Sequence, residues 1–151
     1  MDNHSFAPHN SSIGNINANI MAVLMYAGVF LFALIPYAGF LAWALPLIVL
    51  FVEKNSDFVK FHAAQSLIIQ IIFLAISIIT GFLGLLLQVP TNIINSLING
   101  AADNPIIFIT VIIELARLAI YVFLAYKAFN YTTYRINLVS DYADTILNKI
   151  S

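Results

Sequence analysis

Hydrophobic residues along this chain fall into three long stretches separated by short polar breaks. The first runs from Ile20 to Val52. As one helix it would be about 50 Å long, against a bilayer hydrocarbon core of about 30 Å. It carries Pro36 and Pro46, and Pro36-Tyr37-Ala38-Gly39 is a turn-like cluster. The pattern predicts a hairpin, with one helix near Ile20–Ile35 and a second near Phe40–Val52; a single kinked, tilted helix is the rival. The second stretch runs from about Phe61 to Leu87. The third runs from about Pro105 to Tyr131, with Pro105 suited to a first helical turn. Between them, residues 88–104 are polar but place Ile93, Ile94, Leu97 and Ile98 at helical spacing, as a short interfacial helix or a plain loop would.

After Tyr131 the pattern becomes amphipathic. Leu138, Val139, Tyr142, Ile146 and Ile150 share one helical face, and Asp141, Asp144 and Asn148 populate the other. Lys149 falls on the apolar side, where its stem can snorkel. The membrane surface is the natural seat of such a helix, although one docking on a partner has the same pattern. The division expected is a flexible polar tail over 1–19, a four-helix transmembrane domain over 20–132 and an amphipathic cytoplasmic tail over 133–151.

Composition agrees with hydrocarbon as the main solvent. Of 151 residues, 62% are hydrophobic and 9% charged, and the mean hydropathy is +0.95. A soluble domain is about 45–50% apolar and about 25% charged. Lys and Arg are too few for a basic patch, so nucleic acid is excluded as a partner. Cys is absent, which removes disulfides, thiolate metal sites and thiol nucleophiles. Residues 1–19 lack the basic segment of a secretory signal. His4 and His9 fall short of a placed metal site, and the sequons at Asn3 and Asn10 matter only in a secretory compartment.

Charge sets the expected topology. Lys54 and Lys60 precede the second stretch, and Lys127, Arg135 and Lys149 lie at or after the end of the third. By the positive-inside rule those segments face the cytoplasm. Four helices put both termini on that side; three would move the N-terminus outside. A multi-pass protein of the cell (inner) membrane, or its organelle equivalent, is the expectation.

Candidate chemistry sits on two helix faces. In the second stretch His62, Ser66, Gln70, Ser77, Thr80, Gly81, Gly84 and Gln88 fall within about a third of the circumference, with Gln65 beside them. In the third, Thr110, Glu114, Arg117 and Tyr121 cluster, followed by Ala125, Ala128 and Thr132. Polar groups at membrane depth either pack helices together or line a wet path. Glu114 and Arg117 are spaced for a direct ion pair, structural or functional. No HExxH, GxSxG, Walker loop or GxGxxG occurs, so neither an enzyme nor a cofactor nor a metal site is expected.

One segment carries a resemblance. A charged turn, Glu53-Lys54-Asn55-Ser56-Asp57, runs into Phe58-Val59-Lys60-Phe61-His62-Ala63-Ala64-Gln65-Ser66 and then a long apolar helix. Pro46-Leu47-Ile48 precedes it. Later come Lys127-Ala128 and Tyr134-Arg135-Ile136-Asn137-Leu138-Val139-Ser140-Asp141, with Asn137 where the family usually has Pro and Ser140 where it has Gly. Over roughly Ile20 to Asp141 the chain resembles the Tic-twenty-like family, which includes a chloroplast protein-import component, prokaryotic proteins of unknown function and magnetosome membrane proteins. The resemblance implies an all-α bundle of four transmembrane helices, the first two a short hairpin, with both termini on one side. The function expected is a non-enzymatic subunit of a membrane complex that assists protein translocation or insertion. Its partners would be the lipid bilayer, further copies or subunits, and a polypeptide substrate. Two alternatives stand beside it: a membrane-organising protein of the magnetosome type, and a small ion or solute pathway built by an oligomer.

Overall fold

The computed structural model describes residues 5–35, 39–87, 105–136, 139 and 142–146. The 36–38 cluster, the 88–104 connection with Gln88, His4, and Leu138, Asp141, Asn148, Lys149 and Ile150 of the tail lie outside these residues. Helix α1, Ala18–Ala33, forms where Ala18, Ala22, Met25, Tyr26 and Val29 recur at three- and four-residue spacing; these are its buried face. Leu24 and Leu31 lie exposed. The last turn tightens, with the amides of Leu34 and Ile35 donating to the carbonyls of Leu31 and Phe32. A 3-10 turn follows at Gly39–Leu41, then α2 at Ala44–Val52. Pro46 sits in the first turn of α2, where its missing N–H costs no helical bond. The Ile20–Val52 stretch is therefore two helices joined by a turn, α1 packing on α2.

The turn depends on one glycine. A Cβ on Gly39 would lie 2.3 Å from the carbonyl oxygen of Ala33, inside any real contact distance. The Gly39 amide donates to Ile35 O at 2.8 Å, so the backbone is already drawn in.

Helices α3, Asp57–Leu86, and α4, Pro105–Phe129, are the long elements. Both are long and apolar enough to cross a membrane; α1 and α2 are shorter. Ser56 starts α3: its hydroxyl accepts the Val59 amide at 3.1 Å, capping the helix. Past Tyr131, residue 139 and residues 142–146 are helical. Val139, on the expected apolar face, is buried together with Ala143, while Tyr142 of the same face is exposed. Arg135 pairs with Asp144. No strand occurs among the described residues, so the chain is all-helical as expected.

Two compact units divide the chain. The first comprises Met1–Ile71 with Tyr121–Ser151; the second is Ile72–Ile120. In the first, α1, the start of α3 and the end of α4 enclose a core of Tyr26, Leu50, Phe58, Val59 and Leu124. In the second, Ile78, Ile79, Phe82, Leu85, Phe108 and Leu115 are exposed apolar side chains.

Replacing Gly39 with Ala forces the Ala33 carbonyl to move. We expect a loss of about 1–3 kcal/mol of stability, as for overpacking in a tight site. Unfolding in mild detergent measures it, with Gly28→Ala as control, since a Cβ at Gly28 meets nothing within 4 Å.

Candidate functional site

Of the polar residues singled out on the two helix faces, His62, Gln65, Ser66, Gln70 and Tyr121 lie in the first unit, which also holds the root of α3. Glu53 is the first charge after the Ile20–Val52 stretch and is only 2% exposed. A carboxylate removed from water needs donors, and the chain supplies them. The Ser11 hydroxyl donates to Oε2, and the Ser12 hydroxyl to Oε1 at 2.8 Å. The amides of Ser12, Asn55 and Ser56 donate to Oε1, each at 3.0 Å. The Lys54 amide in turn donates to Ser12 Oγ at 2.8 Å. Burial alone would raise the Glu53 carboxyl; the bonds from Ser11, Ser12 and Asn55 outweigh it and hold the pKa at about 2.

Residues 10–17 are shaped to deliver those donors. Asn10 and Asn17 form a bridge, and Gly14 and Asn15, both left-handed at φ 66° and 53°, turn the chain between them. Within the Asn- and Ser-rich segment that reads as a flexible tail, Ser11 and Ser12 converge on one carboxylate. His9, considered above as a weak metal ligand, has Nε2 2.7 Å from Ser56 Oγ and Nδ1 2.8 Å from Ala7 O. Phe6 N donates to Tyr131 O at 2.9 Å, and the Tyr131 hydroxyl to His9 O at 3.3 Å. The N-terminal segment, the 53–56 turn and the end of α4 thus meet.

Deeper in the same unit lies a chain of buried side chains. Tyr26 Oη is 2.9 Å from His62 Nδ1 and donates to Gln65 Oε1 at 3.1 Å. Gln65 Nε2 donates to the Tyr134 carbonyl at 2.8 Å. A phenol has one hydrogen, so with that hydrogen on Gln65 the Nδ1 of His62 must be the donor to Tyr26. His62 Nε2 lies near the Thr132 backbone without a hydrogen bond of ordinary geometry. One turn further on, Tyr121 donates to Gln70 Oε1 at 3.0 Å. Ser66 is fully buried, and its hydroxyl has no partner among the described residues.

The rest of the expected stripe behaves differently. In the second unit the Ser77 hydroxyl bonds to Phe73 O, Thr80 to Ile76 O and Thr110 to Ile106 O, each to the carbonyl four residues back in its own helix. Glu114 and Arg117 form the expected ion pair, and the Arg117 guanidinium lies 5.8 Å from the centre of the Phe73 ring. Gln88 lies outside the described residues. Among the described residues no group of three His, Cys, Asp or Glu could hold a metal ion.

The sequence places Glu53 in a charged turn without indicating a partner, marks Ser11 and Ser12 only as part of a sequon, and gives Tyr26 no polar role. The one available signal was Tyr26 at the spacing of the α1 buried face. Partners separated by about forty residues leave no local pattern.

All-helical, with two helices long and apolar enough to cross a bilayer and with exposed Leu, Ile and Phe along them, the chain is a membrane protein. Within that class, residues 17–142 match the magnetosome magnetite crystal formation protein family, MamF/MmsF, and the chain belongs to it. No curated protein and no solved structure matches the chain. This match corrects the resemblance to the Tic-twenty-like family, and protein transport goes with it. The 53–66 motif on which that resemblance rested consists of a carboxylate-capped helix start followed by buried packing residues. Such a motif serves a helix entering a membrane whatever the protein's task.

Two outcomes follow. Tyr26→Phe leaves His62 Nδ1 and Gln65 Oε1 unsatisfied and should cost about 1–3 kcal/mol, whereas Ser77→Ala should stay within about 0.5 kcal/mol; unfolding in detergent compares them. Glu53, depressed when folded, contributes stability above its ordinary pKa of 4.5 that is lost as pH falls toward about 2. The loss is of order 3 kcal/mol across that window. Glu53→Gln should be less stable at neutral pH and should lack this acid-dependent component.

Proposed function

We propose that this chain is a non-enzymatic membrane-organising protein of the membrane in which magnetite forms. The observation that carries the reading is the family match over residues 17–142. The packing supports it against a conducting path. Gln65, Gln70 and His62 hydrogen-bond to Tyr134, Tyr121 and Tyr26, and the Ser77, Thr80 and Thr110 hydroxyls bond to their own helices. A wet path needs polar atoms turned toward water, and these are turned toward protein.

The topology proposed puts both chain ends and the 53–56 turn on the cytoplasmic side. Lys54, Lys60, Lys127 and Arg135 all belong to the segments that meet at the root of α3, and basic residues mark the cytoplasmic face.

Rescue of magnetosome-forming cells lacking this protein separates the readings, with crystals and membranes imaged by electron tomography. Gln70→Leu and Glu114→Gln, once shown to insert, should restore crystal size and membrane arrangement like the unaltered chain. Tyr142→Asp with Ile146→Asp should not, because it removes apolar contact with the membrane surface. The reverse result would replace membrane organisation with a pathway role for the stripe.

A further inference from the structure

The hairpin of α1 and α2 is rooted at one place. The Ala18 amide, at its entry, donates to His9 O at 2.9 Å; Glu53, at its exit, accepts the hydroxyls of Ser11 and Ser12. Residues 9–12 therefore tie entry to exit. The arms are short. α1 has 16 residues and α2 has 9, about 24 Å and 14 Å of helix. Even with the 3-10 turn added, neither arm matches a hydrocarbon core of about 30 Å.

The described residues on either side of the tip are apolar and exposed. Leu34, Ile35, Phe40 and Leu41 are 50%, 46%, 60% and 42% exposed. No Asp, Glu, Lys or Arg occurs between Asp2 and Glu53, so the sequence offers no charge to anchor a tip in far-side water. A chain reversal within hydrocarbon demands paired backbone groups. The amides of Leu34, Ile35, Gly39, Ala42 and Leu45 each donate to a carbonyl three or four residues back, so these five amides at the turn are paired locally.

We propose that α1, the 3-10 turn and α2 form a re-entrant hairpin: it enters the bilayer at Ala18, seats its apolar tip among lipid acyl chains, and leaves at Glu53 by the face it entered. The complete crossings are then α3 and α4. This rests on the membrane reading above and sharpens it, since the ligand of the tip is the hydrocarbon of the membrane itself.

The chain has no Cys and a single Trp, Trp43, just beyond the turn. Single-cysteine variants Asn55→Cys, Phe40→Cys and Leu87→Cys, all at exposed positions, are reconstituted in sealed vesicles and treated with a membrane-impermeant maleimide from each side. We expect N55C to label from one face only and L87C from the opposite face only. F40C should label from neither until detergent opens the membrane. Trp43 fluorescence should be quenched more by spin labels deep in the acyl chains than by labels at the headgroups. Labelling of F40C from the L87C face would mean a hairpin that crosses completely and would overturn the proposal. Labelling of F40C from the N55C face, or quenching of Trp43 mainly by headgroup labels, would mean a hairpin lying on the surface and would overturn it equally. N55C and L87C reacting from the same face would instead sink the membrane-spanning reading, and the hairpin proposal with it.

Discussion

A carboxylate at the edge of a hydrocarbon layer has two ways to keep its charge: reach water or be given donors. Glu53 is given donors, from the Ser11 and Ser12 side chains and from the amides of Ser12, Asn55 and Ser56. Much of the first unit follows from that choice. The donors come from both sides of the α1–α2 hairpin, so satisfying the charge closes the hairpin at its root. Two of the amides belong to the turn before α3, so the same carboxylate shapes the start of that helix. With residues 5–12 held there, Phe6 and His9 reach Tyr131, and the end of α4 is drawn to the same place.

Apolar contact cannot fix helix register in a membrane as it does in water. Lipid tails are as apolar as leucine, and a helix that slides exchanges one hydrocarbon neighbour for another. Directional bonds supply what is missing. Tyr26 on α1 binds His62 and Gln65 on α3, Gln65 binds the Tyr134 carbonyl, and Tyr121 on α4 binds Gln70. Moving any of these helices along its axis would strand a buried polar atom at a cost of about 1–3 kcal/mol. Small residues do the remainder: Ala18 and Ala22 on α1 and Ala63 and Ala64 on α3 are fully buried and let backbones approach.

The elements were legible in the sequence where local chemistry sets them. Pro105 opens α4, a charged turn precedes α3, and Gly39 starts the 3-10 turn between α1 and α2. The polar stripe was legible as a face but not as two different things. Periodicity places His62 and Thr80 on one side of a helix. It cannot say that His62 meets Tyr26 thirty-six residues away while Thr80 bonds within its own turn. The hydroxyl of Thr or Ser reaches the carbonyl four residues back, whereas the longer Gln and His side chains need a neighbouring helix. That difference in reach is a signal the residue types carry: it separates Ser77 and Thr80 from His62, Gln65 and Gln70, while the buried Ser66 follows neither pattern. Glu53 was harder to read, because its donors lie in a segment whose composition is that of a loose tail.

Glu114 and Arg117 show how the second unit handles the same problem. Their pairing stays within α4, and Arg117 rests by Phe73. An ion pair on one helix neutralises itself wherever that helix sits, so it imposes less on its neighbours than a bond between helices would. The interhelical polar bonds described belong to the first unit, and so do the hairpin and the charge that closes it. The grouping of tight polar bonds at the root of α1, α2 and α3 is the arrangement that would hold such a hairpin at fixed depth.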